Sequence, residues 1–172
     1  FIQADAASRR GLIQALGLMK SILASILLLG SSGATTPTVS DSELSLAGVA
    51  LGNSEEQVLA VLGPAPKRFE TGEGTAFEYD GLTVYVGWLE QQDPGKQRRV
   101  FQLEATGPHA CTPAGLCPGA PAAKVVATYG QPVQAERETG SFLEYYSNQS
   151  SCWLQVGTSG EFIRSISAVC QP

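Results

Sequence analysis

Charged side chains and clusters of basic residues are scarce in this sequence. Only 16% of the residues are charged, whereas an ordinary globular chain has about a quarter. The 11 Lys and Arg residues are scattered, and the formal net charge is −5. Nucleic acids and anionic membranes are bound by basic patches, so we expect no nucleic-acid partner and no membrane partner for the mature chain.

Catalytic and cofactor motifs are also missing. The sequence has one histidine, His109, and no nucleophile elbow, phosphate-binding loop or dinucleotide fingerprint. We therefore predict that the protein is not an enzyme and uses no cofactor and no metal. Three alternatives are less favoured: catalysis centred on His109, a metal held by His109 with Cys111 and Cys117, and a glycosidase-type pair of Glu78 and Glu144. The cysteines are better explained as disulfides, and the two glutamates as a repeated position.

The N-terminal part predicts export. Met19 and Lys20 begin a short basic region, an apolar run covers residues 21–30, and small residues follow at 32–34. This pattern is typical of a signal peptide over residues 19–34, with residues 1–18 as a non-native upstream segment. The predicted location is periplasmic or secreted. The alternative is an uncleaved membrane anchor over residues 11–30.

The four cysteines agree with an oxidising compartment. An even number of cysteines predicts two disulfides, and the sequence allows three connectivities. Local pairing favours one bond that closes a short Pro/Gly loop and one that ties the last strands together. These pairs are Cys111 with Cys117, and Cys152 with Cys170.

An internal repeat organises the rest of the chain. The stretch from Gly48 to Pro66 is echoed by the stretch from Gly115 to Pro132, and strand-like runs follow both. In the first copy, Ser54 and Gln57 form a capping-box pattern before a short helix. In the second, Pro121 is expected at the first helical position.

Each helix is followed by three runs with the alternation of β-strands. We therefore predict an α+β fold of two tandem repeats, residues 35–107 and 108–172. In each, a short helical segment packs on a three- to four-stranded antiparallel sheet. The runs are Ala76–Tyr79, Leu82–Val86, Arg98–Ala105, Phe142–Tyr146, Cys152–Val156 and Glu161–Val169.

A helix covers only one face of such a sheet, so the other face is expected to be open. Alternation assigns Phe101 to the covered faces and several aromatic residues to the open ones. Tyr and Trp among polar neighbours are typical of binding hot spots. We predict that the partner-binding residues are Tyr85, Trp88, Tyr146 and Trp153. The alternative is that these rings only shield an exposed sheet.

The repeat resembles a known family. A glycine-rich helix motif followed by a Tyr-containing meander resembles the small-protein-A/OmlA family of outer-membrane assembly lipoproteins. A tandem pair with disulfides is similar to the β-lactamase inhibitor proteins. This resemblance implies two helix-on-sheet units that clasp a partner enzyme, although the first copy here has no cysteine. The residues that carry it are Gly48, Leu51, Gly52, Ser54, Val58, Leu62, Gly63 and Pro64.

Together these features favour an exported protein-binding module. We expect a monomer that engages a partner protein of unknown identity through its open sheet faces, in the manner of an inhibitor. The alternative function is a structural or assembly component of the bacterial outer envelope.

Overall fold

The computed structural model describes residues 38–88 and 97–170. The segments predicted at 1–18 and 19–34 lie outside these residues. These described residues fall within one compact unit. In chain order its elements are β1 (Thr38–Val39), a 3-10 turn (Asp41–Glu43), β2 (Ser45–Leu46), β3 (Val49–Ala50), α1 (Glu55–Leu62), β4 (Lys67–Glu70), β5 (Gly74–Tyr79), β6 (Leu82–Gly87), β7 (Arg99–Ala105), α2 (Ala123–Tyr129), β8 (Val133–Arg137), β9 (Gly140–Ser147), β10 (Cys152–Ser159) and β11 (Phe162–Cys170).

Helix α1 starts at the predicted capping box. The Ser54 hydroxyl accepts the Gln57 N–H, and the Gln57 side chain accepts the Ser54 N–H at 2.7 Å. Two helix N-terminal donors are thereby satisfied. The helix ends at Gly63, whose φ of 77° suits glycine because it has no Cβ. Val58 is fully buried and anchors the helix to the core.

Helix α2 begins two residues later than the sequence predicts. Ala122 occupies the N-cap position and provides no side-chain hydrogen bond. Pro121 instead forms an isolated bridge with Phe162 of β11, which holds it outside the helix. Val125 is fully buried. Within the residues that the structure describes, no helix is long and apolar enough to cross a membrane.

The strands form one large mixed sheet. Its nine strands follow the order β1-β9-β10-β11-β7-β6-β5-β4, and β8 also pairs with β9. All pairs in it are antiparallel except β1 with β9. Strands β2 and β3 make a separate two-stranded ribbon.

The predicted fold class, two tandem repeats of a helix on a three- to four-stranded antiparallel sheet, is therefore wrong. The seam is the pairing of β7 with β11, where Leu103 is the register partner of Ala168. This pairing crosses the predicted boundary at residues 107 and 108 and fuses the strands of both halves. Alternation within a strand does not specify which distant strand lies beside it, so the local pattern left the seam undetermined.

The core lies between the helices and one face of the sheet. We call this the inner face, and the opposite one the outer face. The buried core combines helix residues with alternate residues of the central strands. These include Val58, Phe77, Val84, Leu103, Val125, Tyr145, Leu154, Val156 and Ile166.

A β-bulge overturns the predicted orientation of Phe101. Tyr85 pairs with Gln102, but the next residue, Val86, pairs with Val100, so Phe101 is the extra residue of β7. A bulge of this kind shifts the alternation by one position. Val100 consequently enters the core, while the Phe101 ring packs beside Tyr85 on the outer face.

Both disulfides are local. Cys111 is bonded to Cys117 across a sequence separation of 6, and Cys152 to Cys170 across 18. Cys152 and Cys170 are direct register partners at the ends of β10 and β11. The second bond therefore clamps the two strands next to the seam.

Candidate functional site

The outer face carries a row of side chains that crosses seven strands. Each residue of this row is the register partner of the next, so the row runs perpendicular to the strands. With strands spaced about 4.8 Å apart, it is about 29 Å long. We call it the aromatic row, and it consists of Phe69, Ala76, Tyr85, Gln102, Val169, Trp153 and Tyr146.

A second row lies beside it on the same face of the sheet. In each strand that the two rows share, its residue is two positions away from that of the aromatic row. With the exception of Val133 its members are polar or charged, and we call it the polar row. The two rows together give the outer face an aromatic band flanked by hydrogen-bonding groups. The polar row consists of Lys67, Glu78, Thr83, Glu104, Ser167, Gln155, Glu144 and Val133.

Three of the four residues predicted to bind a partner lie in the aromatic row. Tyr85 stands on β6, Trp153 on β10 and Tyr146 on β9. The fourth, Trp88, is placed elsewhere: it follows β6 directly and is 48% exposed. Its ring lies 5.3 Å from the Arg98 guanidinium, which also donates hydrogen bonds to Thr75 and to the Val86 carbonyl. Trp88 thus occupies one end of the sheet, outside the aromatic row.

Tyr146 and Trp153 form the aromatic end of the row. Their ring centroids are 6.2 Å apart, with planes inclined by 33°. Both residues are half-buried, so each ring keeps an exposed surface. The Trp153 Nε1–H is itself buried and has no acceptor among the described residues. A buried donor without an acceptor is destabilising, by about 1–3 kcal/mol.

Tyr85 forms the other aromatic centre of the row. Its ring lies 6.1 Å from that of Phe101, the bulged residue. Burial raises the pKa of Tyr85, and the nearby carboxylates of Glu104 and Glu78 raise it further. The phenol therefore stays protonated at neutral pH and can donate a hydrogen bond to a partner.

Glu144 is a fully buried carboxylate in the polar row. Arg137 donates to it from both Nε and Nη2, Tyr146 from its hydroxyl at 2.5 Å, and Gln155 from Nε2 at 2.9 Å. Burial alone would raise the pKa of Glu144, but the hydrogen bonds from Tyr146, Gln155 and Arg137 outweigh it and hold the pKa below its ordinary value. The carboxylate is therefore ionised, and its acceptor positions are all occupied by hydrogen-bond donors. The hydrogen bond that it accepts from Tyr146 fixes the orientation of that ring.

Arg137 is a site residue that was not predicted from the sequence. Arg137 is the last residue of β8, and its side chain reaches Glu144 on β9. This side chain is 46% exposed. Only the register of β8 against β9 reveals this contact. The two residues of its turn, Glu138 and Thr139, are not the Asn-Gly or Asp-Gly pair that marks a tight hairpin in a sequence.

A shallow pocket of about 240 Å³ opens at the aromatic end of the row. Arg137, Tyr146 and Trp153 line it. Ser147 at the end of β9 and Ser150 in the loop that follows also line it, and both donate to the Asp41 carboxylate. The pocket continues the exposed surface of Tyr146 and Trp153 rather than forming a separate enclosed site.

The glycosidase pair and the metal site lose their geometric basis. Glu78 and Glu144 lie on β5 and β9, five strand spacings or about 24 Å apart, whereas glycosidase carboxylates are separated by less than about 10 Å. Cys111 and Cys117 are joined in a disulfide, which leaves His109 without thiolate companions. Within residues 38–88 and 97–170, no three metal-binding side chains cluster.

Comparison with known proteins gives distant similarity only. No family model matches the chain, and no curated protein matches it. Among solved structures, it is similar to an extracellular protein containing an SCP domain from Bacillus anthracis, with 13% identity and a TM-score of 0.41. It is also similar to a cysteine-rich secretory protein from Staphylococcus aureus, with 13% identity and a TM-score of 0.40. Each match covers 70% of this chain and 44% of the other, so the chain spans less than half of either protein.

These comparisons correct the resemblance drawn from the sequence. The similarity to the small-protein-A/OmlA family and to the β-lactamase inhibitor proteins is wrong: no family model matches the chain, and its strands join in one nine-stranded sheet rather than in two helix-on-sheet units. The motif that suggested it consists of turn glycines and a helix cap. Those residues are required by local backbone geometry in many folds and so do not identify a family.

Proposed function

We propose that this chain is an exported protein-binding module that engages a partner protein with the aromatic row of its outer sheet face. The observation that carries the proposal is the single cross-strand row joining Tyr85, Trp153 and Tyr146. Rigid aromatic side chains on a hydrogen-bonded sheet lose little conformational entropy on binding. The saturated Glu144 supports the same conclusion, because it holds Tyr146 in place before a partner arrives.

Export is supported by the two disulfides, which persist in oxidising compartments. The proposed location is the periplasm or the exterior of the cell. The proposed activity is binding without catalysis or cofactor. It is supported by Glu144: among the described residues this outer-face carboxylate is fully buried, and it is engaged in structural hydrogen bonds with Arg137, Tyr146 and Gln155.

Affinity capture with the full chain tests the proposal. The wild type is compared with the double variant Tyr85→Ala/Trp153→Ala and with Val61→Ser, a matched control that removes an exposed apolar side chain from α1 on the opposite side of the sheet. A partner that uses the row binds the wild type and the control equally and binds the double variant at least about 100-fold more weakly. Equal capture by all three proteins would overturn the assignment.

Tryptophan fluorescence gives a second, independent measurement. The chain has two tryptophans, so Trp88→Phe leaves Trp153 as the reporter. Adding the captured partner should shift its emission to the blue, because the ring becomes desolvated. Unchanged emission at saturating partner contradicts the proposal.

Co-sedimentation with outer membrane or peptidoglycan that survives the double substitution would instead favour the structural envelope role.

A further inference from the structure

Strand β4 closes the sheet on one side. It pairs with β5, and within the described residues no strand lies on its other side. All four of its side chains are exposed. An open edge of this kind presents main-chain N–H and C=O groups that can pair with another strand.

The turn after β4 shows which groups face outward. The Thr71 N–H donates to the Gly74 carbonyl at 2.7 Å, so this pair belongs to the hydrogen-bonded set of the hairpin. Hydrogen-bonded and non-hydrogen-bonded pairs alternate along an antiparallel ladder. Lys67 and Phe69 therefore direct their main-chain groups toward β5. Arg68 and Glu70 direct theirs toward the open edge.

Two β4 strands related by a twofold axis at Phe69 satisfy these groups. In that register Phe69 lies opposite Phe69 of the second copy, and Arg68 of each copy lies opposite Glu70 of the other. Arg68 and Glu70 are the residues with outward main-chain groups, so each charged pair also exchanges two main-chain hydrogen bonds. The side chains match as well, since Phe69 lies on the outer face in both copies.

Neighbouring registers are less favourable. An axis at Arg68 sets two arginines opposite each other and places Pro66, which has no N–H, opposite Glu70. An axis at Glu70 sets two carboxylates opposite each other, which is destabilising. We propose that two copies of this chain associate through antiparallel pairing of their β4 strands about Phe69.

The other side of the sheet provides a contrast. Strand β8 is also an outer strand, and its hairpin closes at the register pair of Arg137 and Gly140. The same parity argument makes Gln134 and Glu136 its outward residues. Twofold pairing about Ala135 would place Gln134 opposite Glu136, without an ion pair or an aromatic contact. Charge complementarity and contact between the two Phe69 rings therefore favour β4, where Arg68 also makes a 3.1 Å ion pair with Glu55 of its own chain.

The contact is small, which sets its strength. Four residues a side bury much less than the roughly 800 Å² per partner of a standard interface, and both copies carry negative net charge. The dimer forms at high concentration, with a dissociation constant between about 1 µM and 1 mM. It departs from the monomer expected from sequence, and it joins two aromatic rows end to end at Phe69.

Sedimentation equilibrium tests the pairing. The full chain, at concentrations up to about 1 mM, should show reversible dimers. Glu70→Arg should abolish them, and Arg68→Glu/Glu70→Arg should restore them because the exchanged charges are again complementary. Thermal unfolding checks that each variant is folded. A wild type that stays monomeric throughout overturns the proposal, as does a dimer that Glu70→Arg leaves intact.

Cross-linking tests the register directly. Non-hydrogen-bonded antiparallel pairs hold their Cα atoms about 4.5 Å apart, within the range that a disulfide spans. Phe69→Cys should therefore give a covalent dimer under mild oxidation with oxidised glutathione. Ala135→Cys, the matched position on β8, should remain monomeric. No dimer from Phe69→Cys, or equal dimer from both variants, means that β4 does not pair in this way.

Discussion

The Tyr145 hydroxyl donates a hydrogen bond to the Gly130 carbonyl at 2.9 Å, joining a core strand to the end of helix α2. Tyr79 makes the corresponding bond to the Gly63 carbonyl at the end of α1, at 3.0 Å. In both halves a strand tyrosine thus fixes the point where the helix stops. The Tyr145 ring is fully buried, whereas the Tyr79 ring is half-buried.

Replacing Tyr145 with Phe should lower the free energy of unfolding by about 1 kcal/mol, since one hydrogen bond is lost and Gly130 is open to water. Tyr145→Ala should lower it by about 3–5 kcal/mol, because the fully buried ring is removed as well. Urea denaturation measures both. Equal losses for the two variants would show that the hydroxyl, not the ring, dominates.

Stability should fall at alkaline pH. Burial raises the pKa of Tyr145 from 10.0 to about 12, and burial together with the Glu43 hydrogen bond raises that of Tyr129. A raised folded-state pKa contributes stability below the unfolded pKa, and this is lost as pH rises from about 10 through 12. Tyrosinate absorbance at 295 nm should therefore rise together with loss of structure. Tyr145→Phe should reduce the pH dependence in this range.

Arg137→Ala should destabilise the fold at pH 7, because Glu144 loses its countercharge while buried. The loss should be smaller than for a fully buried ion pair, because the Arg137 side chain is 46% exposed. The matched control is Arg164→Ala. Arg164 is exposed and is not among the described residues that donate to Glu144. Urea midpoints compare the three proteins, and similar losses for both variants would contradict a specific role for Arg137.

The Glu144 carboxylate also predicts that the stability of the fold decreases at acidic pH. The pKa of Glu144 is lowered in the folded state, so its contribution is present above the unfolded value of about 4.5 and is lost as pH falls below it. Glu144→Gln should flatten the dependence of stability on pH between about 4.5 and 2. Urea unfolding curves measured across this pH range test the prediction. If the free energy of unfolding depends on pH equally steeply in Glu144→Gln, other groups are responsible for the loss of stability in acid.

Removing the Cys152–Cys170 bond should cost more stability than removing the Cys111–Cys117 bond. The loops that they close differ in length, and the chain-entropy model gives about 3 kcal/mol for the longer and about 2 kcal/mol for the shorter. The variants are Cys152→Ala/Cys170→Ala and Cys111→Ala/Cys117→Ala, compared by urea denaturation. The reverse order would show that strain or packing outweighs loop closure.

Local sequence signals predicted the elements better than their assembly. The capping box at Ser54 and the strand alternation around Val84 depend on nearby residues, and the structure has both. The β7–β11 seam and the bulge at Phe101 depend on contacts between distant segments, and both were missed. Strand β4 was missed because its charged residues do not alternate with apolar ones.

The candidate site shows the same division. Tyr85, Tyr146 and Trp153 were chosen for their residue type and phase, which a sequence displays. Their alignment in one row requires the strand order and every register between β6 and β9. Trp88 is also aromatic, but it follows the end of its strand. The alternation of side chains along β6 therefore does not determine where its ring lies.

The seam between β7 and β11 also constrains how the chain acquires its structure. Ala105 must find Ile166, about sixty positions later, before the centre of the sheet exists. Closing so large a loop makes folding slow relative to that of helical proteins of this size, and it leaves β7 waiting as a temporary edge. During synthesis this edge stays uncovered until β11 emerges, so the nascent chain is most prone to aggregation in the interval between the synthesis of β7 and that of β11.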